Sequence, residues 1–185
     1  MKKIVWVYGI ITGVLILGIS GLVFSVFGAS HAQSELLGYL VMIIALSLIF
    51  IATKQYRDKH LGGVIKFKTA FIVGLYITLI ASTIYVANWE VYMQTSGSDG
   101  FIESYQAGVI KNMEANGATE AEIQATKEQH EYYTKIYSNT FFRVLITASE
   151  ILPVGLAITL ISSLLLKNPA LLPASETDKS EVQPS

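Results

Sequence analysis

The stretch FFRVLITASEILPVGLAITLISSLLL, residues 141–166, determines the architecture of this 185-residue chain. About 20 consecutive apolar residues are enough for a helix to cross the hydrocarbon core of a bilayer. This run is longer than that, yet it carries Glu150 and Pro153 well inside it. An ionisable side chain in hydrocarbon needs a polar partner. We therefore expect a membrane helix packed against other helices that supply this partner.

Composition places the whole chain in the membrane class. Hydrophobic residues make up 52% of the chain and charged residues 15%, whereas soluble domains have roughly 25% charged residues. The net charge is −1, so no overall basic field attracts nucleic acid. Cysteine is absent, which excludes a disulfide framework, a thiolate nucleophile and a zinc-thiolate site.

Three further apolar runs predict three more spans, at residues 4–28, 36–52 and 70–89. The second run is short, but a modest adjustment of the bilayer accommodates it. Aromatic residues at the end of the third run, Trp89 and Tyr92, suit the boundary between hydrocarbon and water. Together with residues 141–166, the runs predict a bundle of four membrane helices.

The first run has an alternative interpretation as a secretory signal peptide. Lys2 and Lys3 precede it, and residues 30–32, Ser-His-Ala, form a tolerable cleavage site. We favour an uncleaved span, because the apolar region of a signal peptide is only about 7 to 15 residues long. Gly9 and Gly13 form a GxxxG pattern, which lets two membrane helices approach closely. We expect this contact to be made with a neighbouring helix of the same chain.

A polar insert at residues 94–139 separates the third and fourth spans. Apolar residues recur at three- and four-residue intervals in each half, which predicts two amphipathic helices. A stop at 116–118, Asn-Gly-Ala, lies between the halves. Thr119 and Glu122 then have the spacing of a capping box at a helix start. The insert is therefore predicted to be an acidic α-hairpin.

The charges predict how the chain is oriented in the membrane. Residues 53–69 are predicted to be a basic loop, whose cations are Lys54, Arg57, Lys59, Lys66 and Lys68. Short loops rich in lysine and arginine face the cytoplasm. Both termini are therefore expected in the cytoplasm and the hairpin outside.

The predicted fold is all-α: an integral membrane four-helix bundle with an extracytoplasmic helical hairpin between spans three and four. The polar composition of residues 168–185 predicts a disordered cytoplasmic tail. The chain is thus divided into spans one to three (1–93), the hairpin (94–139), the fourth span (140–167) and the tail (168–185).

Two segments carry a resemblance to a known family. They are YRDKHLGGVIKFKTAF, residues 56–71, and the opening stretch at 141–166, joined by the acidic helical insert. This arrangement resembles an uncharacterised family of small four-span bacterial membrane proteins, domain of unknown function 4199. The resemblance covers most of the chain apart from the polar tail. It implies the four-span fold and a location in the bacterial cytoplasmic (inner) membrane, and it implies no activity for any residue.

Glu150 is the residue from which a candidate site is built. Arg143 precedes it by seven residues, nearly two helical turns, so both share a face at levels about 10 Å apart. Asn88 and Glu90, at the end of the third span, are expected near the same level. These four residues form the candidate intramembrane polar cluster. Pro153 is expected to kink the helix, because it cannot donate the usual backbone hydrogen bond.

Two interpretations of this cluster are left open. It is either a buried hydrogen-bonded contact that fixes the register of the helices, or a site for an ion or proton step. We favour the structural interpretation, because proton pathways use chains of ionisable groups and only one intramembrane acid is clear.

No catalytic residue, metal site or cofactor is predicted. The motifs HExxH and GxSxG are absent, and His31, His60 and His130 lie in separate segments. The expected function is a non-enzymatic interaction or accessory protein that acts through its hairpin. The alternative is a small oligomeric transporter or ion-conducting protein that uses Glu150. The lipid bilayer is the expected partner, a protein partner at the hairpin and a homo-oligomer are left open, and nucleic acid is not expected.

Overall fold

The computed structural model describes residues 1–27, 35–96 and 98–174. The alternative cleavage site at 30–32 and residues 175–185 of the predicted tail lie outside these ranges. The described ranges contain helices and no strand, which confirms the all-α prediction for them. The helices are α1 (Lys2–Phe27), α2 (Glu35–Leu46), α3 (Leu48–His60), α4 (Phe67–Ser96), α5 (Ser98–Ala115), α6 (Glu120–Ser138) and α7 (Thr140–Leu166).

Four segments are long and apolar enough to cross a membrane, as predicted. They are Lys2–Val23, Leu36–His60, Phe67–Thr95 and Thr140–Leu166. The second segment comprises α2 and α3, which are separated only at Ser47. The Ser47 hydroxyl donates a hydrogen bond to the carbonyl of Ile43 at 2.7 Å, a bond that often accompanies a local distortion of a helix.

The segment predicted as a basic loop, 53–69, is largely helical. Helix α3 carries Lys54, Arg57 and Lys59, and α4 begins before Lys68, which leaves only residues 61–66 as a connection. Two adjacent glycines in this connection have φ angles of +63° and +89°. Glycine adopts this left-handed conformation at little steric cost, so the pair allows a sharp turn between α3 and α4.

Helix α4 is central in the bundle and packs most extensively against α1 and α7. The GxxxG pattern of α1 faces α4, as expected for a contact within the chain. A Cβ atom added at Gly9 would lie 2.8 Å from the side chain of Ile80, and one at Gly13 would lie 2.8 Å from that of Ile84. Both glycines therefore allow α1 and α4 to lie closer together than alanine would permit.

The contact between α4 and α7 pairs glycine with threonine twice. Gly74 of α4 lies against Thr159 of α7, and Gly155 of α7 lies against Thr78 of α4. The two threonine hydroxyls are 3.2 Å apart and fully buried, so they form a hydrogen bond across the interface. Small residues and hydroxyl pairs of this kind hold helices together in lipid, where hydrophobic burial contributes little.

Helices α5 and α6 are joined by a short turn and contact each other; we call them the α5–α6 pair. The predicted capping box is confirmed at the start of α6. The backbone N–H and hydroxyl of Thr119 both donate to the Glu122 carboxylate at 2.8 Å. Because these donors favour the charged form, the pKa of Glu122 lies below its ordinary value. Gln106 of α5 donates to Thr134 of α6 at 3.2 Å.

Residues 168–174 fold back onto α3, which differs from the disordered tail predicted from residue 168 onward. The side chain of Arg57 is fully buried and donates to the backbone carbonyls of Leu171, at 3.1 Å, and Leu172. A buried guanidinium needs acceptors for its N–H groups, and these carbonyls supply them. We call residues 168–174 the C-terminal strap.

Candidate functional site at the base of the α5–α6 pair

Arg143 and Glu90 form the strongest polar contact at the end of the bundle next to the α5–α6 pair. The Arg143 Nε atom donates to Glu90 Oε1 at 2.8 Å, and Nη2 donates to Oε2 at 2.7 Å. The side chains are only 5% and 13% exposed. Two parallel N–H···O bonds fix both the distance and the plane of the pair. The ion pair therefore fixes the start of α7 against the end of α4.

A second set of bonds extends this contact to α6. The Arg143 Nη1 atom donates to the backbone carbonyl of Tyr137 at 2.9 Å. The indole N–H of Trp89 donates to the Tyr137 hydroxyl at 2.7 Å. Burial raises the pKa of the Tyr137 phenol, so this hydroxyl remains neutral. The four residues Trp89, Glu90, Tyr137 and Arg143 join α4, α6 and α7, and we call them the base network.

Local sequence explains why α6 and α7 meet at this point. Asn139 ends α6 and also caps α7, because its side-chain oxygen accepts a hydrogen bond from the backbone N–H of Phe141 at 2.9 Å. A single residue thus separates the two helices. Tyr137 and Arg143 are therefore close in sequence and lie on either side of this junction.

Glu150 lies about two turns further along α7 and is half-buried. Its carboxylate accepts a hydrogen bond from the hydroxyl of Tyr85 on α4 at 3.5 Å, a long contact. The sequence predicts Arg143, Asn88 and Glu90 as members of the same cluster. Tyr85 was not among them.

The structure brings two residues of the predicted cluster into direct contact, Arg143 and Glu90. Asn88 is exposed at the end of α4. Pro153 is also exposed and lies inside the continuous helix α7. The kink at Pro153 stays a prediction.

Sequence reasoning missed Tyr85, and it did not assign Trp89 and Tyr137 to the site. Trp89 was interpreted only as a boundary residue, although its position directly before Glu90 was a usable signal. Tyr137 falls six residues before Arg143 across a helix junction. No spacing rule connects them, because helical periodicity is interrupted at Asn139.

A second polar cluster lies at the other end of the bundle. The two ends are far apart, because α7 is roughly 40 Å long and Arg143 is near its start. Here Asp58 accepts hydrogen bonds from Arg57 at 2.6 Å and from Lys54 at 2.5 Å. Lys59, Lys66 and Lys68 are exposed at the same end.

In each cluster the carboxylate is satisfied by neighbouring cations. The Glu90 carboxylate is engaged by Arg143 on both oxygens, and Asp58 is engaged by two cations. Within the part of the chain that the structure describes, no three histidine, aspartate or glutamate side chains come together as metal ligands. The Arg143–Glu90 pair joins α7 to α4, and the bonds of Arg57 join α3 to the C-terminal strap.

These features define a class: an all-helical protein with four segments able to cross a membrane and a polar helix pair joined to them by hydrogen bonds from Arg143 and Trp89 to Tyr137. The chain belongs to the family described as "Protein of unknown function (DUF4199)", which matches residues 7–168. No curated protein and no solved structure matches it.

Proposed function

We propose that this protein is a multi-pass protein of the bacterial cytoplasmic (inner) membrane that holds the α5–α6 pair outside the cell membrane as a contact surface for another protein. Both termini lie in the cytoplasm. The role is non-enzymatic, and the partner recognises the surface of the α5–α6 pair.

The base network is the observation that carries this proposal. Short helices outside a membrane would otherwise sample many orientations relative to the bundle. Arg143 bonds to a side chain of α4 and to the backbone of α6, so it connects the bundle with the α5–α6 pair. A preorganised surface loses less conformational entropy when it binds a partner. The nearly buried ion pair thus helps to orient the α5–α6 pair, in addition to any stability that it provides.

The chemistry of the surface indicates what kind of partner fits. Residues 94–139 contain seven acidic residues and three lysines. Complementary charge increases the rate of association and excludes partners of the wrong sign. The partner is therefore expected to present a basic surface and to bind more weakly as salt increases.

Photo-crosslinking in living cells tests the proposal. A photoreactive amino acid at exposed Gln129 of α6 should give one dominant protein adduct. The same amino acid at exposed Leu160 of α7 should label lipid, because that position lies in the apolar span. The adduct should weaken when Arg143→Gln removes the base network.

The control for Arg143→Gln is a second variant that also loses one positive charge. Lys135→Gln lies on α6 outside the base network and makes the surface more acidic, so it should not weaken the adduct at Gln129. Absence of a protein adduct at Gln129 and at the exposed neighbouring positions of α6, in cells where the protein is folded and abundant, would reject the proposal.

A further inference from the structure

The end of the bundle away from the α5–α6 pair presents a cluster of exposed cations. They are Lys59 at the end of α3, Lys66 directly before α4, Lys68 at the start of α4, and Lys167 directly after α7. All four side chains are exposed. We call these residues the lysine surface.

The charge of the lysine surface is not balanced by the protein that the structure describes. At this end of residues 1–27, 35–96 and 98–174, the only acidic residue is Asp58. It is buried, and both of its oxygens are used by Arg57 and Lys54. Arg57 in turn is enclosed by the C-terminal strap. The counter-charge of the exposed lysines must therefore come from outside these residues.

Apolar side chains are exposed among the lysines. Val64 is 59% exposed and Phe67 is 38% exposed, and both lie in or beside the connection between α3 and α4. Leu172 of the strap is 52% exposed. A surface for nucleic acid or for a water-soluble anion would not gain from these groups. Cations mixed with apolar groups at the end of a membrane helix fit the boundary between phospholipid headgroups and acyl chains.

We propose that the lysine surface is a binding site for anionic phospholipids. The lysine ammonium groups contact the headgroup phosphates, and Val64 and Phe67 contact the adjoining part of the acyl chains. Juxtamembrane lysines near anionic headgroups bind them by charge attraction that decays within a Debye length. The site acts in whichever leaflet this end of the bundle occupies, so it does not depend on the function proposed for the α5–α6 pair.

Lipid binding to the purified full-length protein in a neutral detergent tests this inference. Bound phosphatidylglycerol and phosphatidylcholine are measured by native mass spectrometry over a range of lipid concentrations. The wild-type protein should bind phosphatidylglycerol more tightly. Replacing Lys59, Lys66 and Lys68 together by glutamine should weaken that binding on the order of 100-fold, since each such lysine contributes a factor of about five.

Two matched variants distinguish the loss of this site from the loss of net positive charge. Replacing Lys111, Lys127 and Lys135 of the α5–α6 pair by glutamine removes the same charge and should leave binding unchanged. Replacing Lys59, Lys66 and Lys68 by arginine keeps the charge and should retain binding. Equal losses in the two glutamine variants, or no preference for phosphatidylglycerol in the wild type, would overturn the proposal.

Two further arms identify the source of the phosphate. Inorganic phosphate at the same concentration should not displace phosphatidylglycerol, because it lacks the acyl chains, and full displacement would contradict a lipid site. A chain ending at Ala174 lacks the three acidic residues of 175–185 and should bind the lipid at least as tightly. Loss of binding in that chain would assign the preference to the removed segment instead and overturn the proposal.

Discussion

Arg143 and Glu90 are both nearly excluded from water, so each depends on the charge of the other. Arg143→Gln leaves the Glu90 carboxylate with its strongest donors removed. Breaking a buried ion pair by removing one partner typically costs about 3 to 5 kcal/mol. We expect a decrease in the free energy of unfolding near the lower end of that range, measured by denaturant titration in detergent.

The double variant provides the internal check on this prediction. Glu90→Gln combined with Arg143→Gln removes both charges and leaves two amides able to hydrogen-bond, so it should be more stable than Arg143→Gln alone. If the loss of stability in the double variant equals the sum of the losses in Glu90→Gln and in Arg143→Gln, the two residues do not contribute as a unit.

Glu150 separates the structural interpretation from the transport alternative. If it serves packing, Glu150→Gln keeps an acceptor for the Tyr85 hydroxyl and should be tolerated. Glu150→Leu leaves that hydroxyl without this acceptor and should cost roughly 1 to 3 kcal/mol. Thermal stability in detergent measures both variants. Ion flux in proteoliposomes that vanishes in the Gln variant, with unchanged stability, would instead support the transport alternative.

The sequence identified residues of the candidate site, but it did not show which of them bond to each other. Glu150 and Arg143 stand out as charges next to or within an apolar run. Their spacing suggests a pair on one helix, but Arg143 bonds to Glu90 of α4 instead. Which residues of α4 and α7 lie at the same level depends on the close contacts at Gly74 and Gly155, and no sequence pattern gives that register.

At the scale of helices, the glycine–threonine contacts bring α4 and α7 close together. A Cβ atom at Gly155 would overlap the Thr78 methyl group. Gly155→Ala should therefore destabilise the protein by about 1 to 3 kcal/mol, the usual cost of overpacking. Thermal unfolding in detergent measures this loss.

Gly18 of α1 provides the matched control. A Cβ atom there would have no neighbour within 4 Å. Gly18→Ala should be neutral or slightly stabilising, because alanine has the higher helix propensity. Combining Gly155→Ala with Thr78→Ser removes the clashing methyl group and should restore part of the stability. Equal effects at Gly155 and Gly18 would contradict a close contact between α4 and α7.

The capping box of α6 should make the start of this helix sensitive to acid. The pKa of Glu122 is depressed in the folded state because Thr119 donates to its charged carboxylate. The stabilisation is therefore fully present above the ordinary pKa of 4.5 and is lost as the pH falls through the lower, folded value. Hydrogen-exchange protection of the first turn of α6 should decrease over that window.

Glu122→Gln should flatten this pH dependence, because the amide does not titrate. Glu131→Gln, an exposed position later on the same helix, should leave it unchanged. A pH dependence that persists in the Glu122 variant would assign the effect to another group.

Helices were predictable because their signals are local. The length of the apolar runs gives the four spans, and the pattern of Thr119 and Glu122 gives the start of α6. The apolar run alone predicts a second span that ends at residue 52, whereas α3 continues to His60. The buried side chain of Arg57 bonds to the C-terminal strap, more than 100 residues away, and a local pattern carries no information about such a contact.

At the scale of the whole molecule, the charges are segregated along the bundle. The acidic α5–α6 pair lies at one end and the lysine surface at the other. From the positive-inside tendency we propose that the lysine surface faces the cytoplasm. The chain has no cysteine, so a single introduced cysteine reports the side on which it lies.

The orientation of the chain in the membrane is tested most directly by labelling one cysteine at a time with a membrane-impermeant maleimide, in intact spheroplasts and after permeabilisation. Glu128→Cys on α6 and Lys59→Cys on α3 are both at exposed positions. We predict labelling of the cysteine at position 128 in intact spheroplasts, and labelling of the one at position 59 only after permeabilisation. Labelling at position 59 in intact spheroplasts, with or without labelling at 128, would contradict this orientation.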